Sequence, residues 1–167
     1  MKGLASLLVM MAVSACGDPA PREFVGHGVS FEYPGEWKTV TPPQADDASL
    51  WVERRGSGPG DFVALGAFRL PASVTDPIDL EDEVKALLAN IASEAGGTSV
   101  GELEKIELAG LAGFSGTIHT EAGLTSEVRV AFAGDIEYFF SCQYTAEGAE
   151  ETKRGCQQVL ATLRLPR

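Results

Sequence analysis

The chain has 167 residues, with 13 lysines and arginines against 24 aspartates and glutamates, three cysteines and two histidines. That length allows one compact domain, and a chain of about 150 residues buries roughly 70% of its unfolded surface, so an ordinary core needs no metal or dense disulfide scaffold. A formal charge of −11 argues against the basic face that a nucleic-acid binder uses to displace counterions, and two histidines leave little room for imidazole-rich catalysis or metal binding.

Met1-Lys2 gives a short positive start, Leu4 to Val13 forms an apolar run, and Ser14-Ala15-Cys16 closes it with small residues. This is the three-part layout of a secretory signal. The run is about half of the roughly 20 apolar residues that a spanning helix needs. An N-terminal core helix fits poorly, because Gly17-Asp18-Pro19-Ala20-Pro21 stops it at once. Val13-Ser14-Ala15-Cys16 resembles the bacterial lipobox, an aliphatic residue followed by two small residues and cysteine. The resemblance implies removal of residues 1–15, diacylglycerol on the Cys16 sulfur and usually an acylated new amino terminus, and two or more acyl chains anchor stably. Residues 16–26 then read as the lipidated cysteine and a flexible tether stiffened by Pro19 and Pro21. The domain proper is expected over residues 27–167.

Three cysteines are odd for a secreted chain, and giving Cys16 to lipid leaves an even pair, Cys142 and Cys156, in a compartment that permits oxidation. Period-two alternation places Cys142 on one strand face with Ile136, Tyr138, Phe140 and Tyr144. A helical stripe joins Cys156 to Val159, Leu160 and Leu163. If that helix packs on that strand, the two sulfurs enter one interface and a disulfide follows. The alternative is two buried free thiols acting as small hydrophobes. The close spacing of a redox-active pair is absent.

Along the chain, Val29 to Tyr33 alternates as a strand and stops at Pro34-Gly35, after which Trp37 to Val40 can return as a second strand. Leu50 to Glu53 reads as a third. Phe62 to Phe68 is apolar on both faces, so it is expected to be central and covered on both sides. A helix follows, with Asp76 as cap, Pro77 at the first helical position, acidic residues in its first turns and a buried stripe of Leu80, Val84, Leu87, Leu88 and Ile91. Gly96-Gly97 ends it. Strands near 100–108, 113–121, 125–133 and 136–144 form a meander, with Val128, Val130 and Phe132 inward and Glu127 and Arg129 outward. A second helix near 149–163 closes the domain. The expected fold class is α+β, an antiparallel sheet of about six to eight strands flanked by two main helices.

Val29-Ser30-Phe31-Glu32-Tyr33-Pro34-Gly35-Glu36-Trp37 resembles the opening hairpin of PsbP-like domains, a group that includes the Mog-type proteins, DcrB and the LpqN-type lipoproteins. Leu108-Ala109-Gly110-Leu111-Ala112-Gly113 is similar to that group's turn between middle strands. Ile136 to Phe140 and the helix ending Leu160-Ala161-Thr162-Leu163-Arg164 resemble its closing strand and helix. The likeness spans roughly residues 27–165. It implies an α/β/α sandwich and a binding or assembly module, and it carries over no catalytic residues.

The inventory of chemistry is short. Ser115, His119 and Glu121 share one side of a strand, but side chains two apart on a strand stand side by side instead of converging on a substrate. Gly113-Phe114-Ser115-Gly116-Thr117 lacks the second glycine of a nucleophile elbow. His27 has no partner at ligand spacing, and neither Asp46-Asp47 nor Glu150-Glu151 has the alternating-oxygen loop that wraps calcium. No phosphate loop, dinucleotide fingerprint or zinc motif is present. The expectation is therefore a non-enzymatic, lipid-anchored, extracytoplasmic protein of the bacterial cell membrane, without cofactor, metal or nucleic acid. It would reach the membrane through Cys16 and bind a protein or small hydrophobic ligand. The alternative is an envelope hydrolase or other enzyme whose site is assembled from residues distant in sequence.

Overall fold

The computed structural model describes residues 19–26, 28–40, 49–54, 60–70 and 77–166. Cys16, His27, Asp46, Asp47 and Asp76 lie outside the described residues. The strands are β1 (Arg22–Gly26), β2 (Val29–Tyr33), β3 (Trp37–Val40), β4 (Ser49–Arg54) and β5 (Phe62–Arg69). Helix α1 (Pro77–Glu94) precedes β6 (Gly97–Val100), β7 (Glu104–Leu108), β8 (Leu111–Thr120), β9 (Leu124–Ala133) and β10 (Ile136–Thr145), and α2 (Ala149–Thr162) comes last.

The main sheet is antiparallel and has eight strands, in the order β3, β4, β5, β10, β9, β8. The outer edge of β8 is shared: β7 pairs with Leu111–Ser115 and β6 with the stretch from Ile118 to Thr120. Each face carries a helix. Residues Tyr138, Phe140, Cys142 and Tyr144 of β10 pack with Cys156, Val159 and Leu163 at α2. Phe114 and Ile118 of β8 and Val128 and Val130 of β9 pack with Val84, Leu88 and Ala92 of α1. This α+β sandwich matches the expected class, and β5 lies inside the sheet, as its two apolar faces require.

Three local expectations change. The strand expected near 100–108 is two strands, because Gly101 donates its N–H to the Thr117 carbonyl (2.7 Å) and Leu103 turns to the α1 core. The Pro34-Gly35 turn does not close a hairpin between β2 and β3. One edge of β2 is taken by β1, and on the other side Ser30 bridges Arg164. β3 crosses into the main sheet instead and pairs with β4, with Trp37 buried against α2. Finally, Arg22–Gly26, inside the stretch expected to be tether, forms β1 by pairing Phe24 with Phe31, whose rings stack 5.3 Å apart. A free-standing tether would end before Arg22.

Turn chemistry follows the sequence closely. β7 and β8 are joined by Ala109 and Gly110 alone, both at positive φ (51° and 85°), the backbone that matches the twist of a two-residue hairpin. At the other end of the sheet, buried Asp61 accepts hydrogen bonds from the backbone N–H (2.7 Å) and hydroxyl (3.1 Å) of Thr145. The Thr145 hydroxyl in turn accepts the N–H of Gly148 (3.0 Å), the residue before α2. The chain therefore turns from β10 into α2 at one fixed place.

Candidate binding site

That fixed turn decides how the cysteines meet. β10 runs out to Thr145 and α2 runs back along it, so Cys142 and Cys156 face each other across the interface and form a disulfide, with Cα atoms 6.1 Å apart. Both are buried, and the bond ties the last helix to the middle of the sheet.

α2 covers β10 but leaves the outer strands of the same face uncovered, and there the sheet is polar. Cross-strand register lines up Glu104 of β7, Ser115 of β8, Arg129 of β9 and Phe140 of β10. The neighbouring rung holds Thr117, Glu127 and Cys142. Glu102, Glu104, Ser115, Thr117, Glu127 and Arg129 border a cleft of about 300 Å³. Glu127 and Arg129 are half-buried, not the solvent-facing pair expected from alternation on β9. Alternation assigns the two faces correctly, but Glu127 is engaged by Tyr144 and by Lys153 of α2 and Arg129 lies over Phe140, so this face of β9 is not simply outside.

Glu127 is heavily engaged. One oxygen accepts the Tyr144 hydroxyl at 2.9 Å and lies 3.4 Å from Lys153 Nζ, and the other lies 3.8 Å from Arg129 Nη2. Lys153 also sits 4.7 Å from the centre of the Tyr144 ring. Burial pushes the Tyr144 phenol up, so it stays a hydrogen-bond donor at neutral pH, and contact with Tyr144 and Glu127 pushes the Lys153 ammonium up. The Arg129 guanidinium lies 6.0 Å over the Phe140 ring, and its Nη1 is buried without a hydrogen-bond partner. The set suits recognition of charged and hydrogen-bonding groups.

Ser115, His119 and Glu121 do not converge. Ser115 borders the cleft, whereas His119 is exposed and pairs across to Thr125, its Nδ1 3.2 Å from the threonine hydroxyl. Four residues of strand put Ser115 and His119 about 13 Å apart along β8. Glu150 opens α2 and lies 3.2 Å from Arg154, one turn on. Among the described residues no group of three His, Cys, Asp or Glu side chains could hold a metal ion, and no helix is long and apolar enough to cross a membrane.

A second depression differs in character. Between the β7–β8 and β9–β10 turns lies an open concavity of about 850 Å³, walled by Leu111, Ala133, Ile136, Tyr138 and Pro166. Pro166 reaches it because the C-terminal segment is held by β2: Ser30 and Arg164 exchange both backbone hydrogen bonds (3.1 and 2.8 Å). The sequence pattern marked Tyr138 and Ile136 as core. It could not mark the concavity, whose walls come together from two turns and the C-terminal segment.

No family model matches the chain, and no curated protein matches it. Solved structures do. The solution structure of the cyanobacterial PsbP (CyanoP) of Synechocystis is similar with a TM-score of 0.66 at 11% identity, over 94% of this chain and 99% of that one. A Pseudomonas aeruginosa protein of unknown function, PA94, gives 0.54 at 17% identity over 88% and 97%. A Bacteroides thetaiotaomicron protein gives 0.55 at 17% over 87% of this chain, which spans 48% of that longer one. These likenesses establish the architecture: the chain has a PsbP-like fold.

Proposed function

We propose that the protein is a lipid-anchored accessory module of the bacterial envelope, held on the extracytoplasmic side of a membrane through Cys16 and docking a protein partner. The observation that carries this reading is the division of the three cysteines. Cys142 and Cys156 are joined in the folded domain, which suits an oxidising compartment, and the remaining cysteine is the one that closes a signal-like segment. The domain ends of the chain also fit. β1 begins only at Arg22, so a few residues would separate an acylated Cys16 from the folded body.

The docking surface in this reading is the apolar concavity by Pro166. It is open and lies beside two tight turns, so it suits side chains of a folded or extended polypeptide better than an enclosed lipid. The acidic charge of the chain adds a preference for basic surroundings on the partner and disfavours direct adhesion to anionic headgroups, leaving attachment to the lipid.

Detergent-phase partitioning of the expressed protein tests the anchor. Wild type enters the detergent phase and Cys16→Ser stays in the aqueous phase; equal partitioning of the two overturns it. A photo-crosslinker at position 111 tests the docking surface. One adduct that disappears on Ala133→Asp supports it, and an adduct pattern identical to that from a crosslinker at Glu121, on the opposite turn, refutes it.

A further inference from the structure

The polar cleft at the outer strands is a different site from the apolar concavity, and its charges are arranged in an unusual order. Going across the sheet, an acidic wall (Glu102, Glu104) is followed by the Ser115 and Thr117 hydroxyls and then by Arg129. Among the described residues the side chains of Glu102 and Glu104 have no hydrogen bond or ion pair. Arg129 is undersupplied as well. Among the described residues its one ion pair is with Glu127, 3.8 Å away and shared with Tyr144 and Lys153, while Nη1 is buried without a partner. A guanidinium with five N–H donors is far from saturated by this arrangement. Its side chain keeps 27% exposure, so a ligand can reach it from the cleft.

Neither a plain anion nor a plain cation fits. An anion placed on Arg129 would meet three glutamates, and a cation placed between Glu102 and Glu104 would leave the guanidinium unsatisfied. A molecule with opposite charges at its two ends satisfies both walls. β7 and β9 are two strand spacings apart, roughly 10 Å, and the side chains reaching inward shorten that to the length of a small molecule. The volume, about 300 Å³, is at the small end of ligand sites.

We propose that this cleft binds a small zwitterion, a compound of amino-acid or dipeptide size, with its carboxylate on Arg129, its ammonium held by Glu102 and Glu104, and its middle against the hydroxyls of Ser115 and Thr117. The ligand carboxylate takes guanidinium N–H donors that Glu127 leaves unused, the planar charge-assisted contact that arginine favours.

Titration calorimetry of the purified full chain at low salt tests this with glycylglycine and δ-aminovalerate as zwitterions and pentylamine and pentanoate as single-charge controls. The expected result is saturable one-to-one binding of at least one zwitterion, with both controls weaker by about tenfold or more. Arg129→Met lowers zwitterion affinity by about tenfold or more and abolishes the advantage over pentylamine. Glu104→Gln, a rim substitution on an exposed side chain that leaves the core untouched, weakens the zwitterion and pentylamine together. The proposal is overturned by an absence of saturable heat with either zwitterion, by pentylamine binding as tightly as δ-aminovalerate, or by unchanged affinity in Glu104→Gln.

Discussion

Trp37 packs against the bare backbone of Gly155: a Cβ built on that glycine would come within 2.7 Å of the indole Cη2. Trp37 is almost wholly buried, and Gly155 occupies the middle of α2, where glycine costs about 1 kcal/mol relative to alanine in helix propensity. The glycine is there to let the first strand of the main sheet tuck its largest side chain under the last helix. Gly155→Ala is therefore expected to destabilise by about 1–3 kcal/mol despite its better propensity, because the overpacking exceeds that gain. Urea unfolding of Gly155→Ala, Trp37→Phe and the double variant checks it. Phenylalanine removes the six-membered ring that clashes, so the double variant should lose less than the sum of the single losses; strict additivity would show that the two residues do not share this space.

The disulfide stabilises a different part of the same interface. It closes a loop between residues 14 apart in sequence, and the chain-entropy account gives about 3 kcal/mol for such a loop. Cys142→Ala/Cys156→Ala should lower stability by about that amount and leave the strand and helix content intact, since the buried stripe of Val159 and Leu163 still holds α2. Circular dichroism with denaturant titration makes the comparison. Thiol titration of the denatured, unreduced Cys16→Ser variant should find no free sulfhydryl; two would show that the bridge does not form.

Much of this interface was legible in the sequence because each element announces its buried face by period. β10 and α2 did so, and the two cysteines fell on the inward positions of both. What period cannot report is pairing. Val29 to Tyr33 and Trp37 to Val40 read as adjacent strands across a turn, yet their partners are β1 and β4: β2 has one edge filled by the segment before it and the other by Arg164, from far along the chain. The cleft was missed for a related reason. Glu127 and Arg129 alternate with apolar residues and so look solvent-facing, and only the lateral order of β7, β8 and β9 brings Glu104, Ser115 and Arg129 onto one rung. A signal was present in the two unlike charges on a single inner-strand face, which seldom serve solvation alone.

On the opposite face, Glu137 is a buried carboxyl whose titration is coupled to folding. It projects from β10 toward α1, with Phe68 and Phe132 directly across on the neighbouring strands. Burial pushes its carboxyl above the ordinary glutamate value, and the negative charge of Glu83 on α1 pushes it further the same way. The folded chain therefore holds this proton more tightly than the unfolded chain does. Below the unfolded value the group is protonated in both states, and the stability it confers is complete. As pH rises from there through the raised folded value, the unfolded state ionises first and that stability is lost. Glu137→Gln keeps the shape and removes the titration, so it should be more stable than wild type at about pH 7 and should converge with it on acidification to about pH 4. Glu83→Gln should give a smaller change of the same sign, because it removes the lesser of the two causes. Urea midpoints for the three proteins across that range decide the matter; a constant gap between wild type and Glu137→Gln at every pH would mean that the carboxyl is not the titrating group.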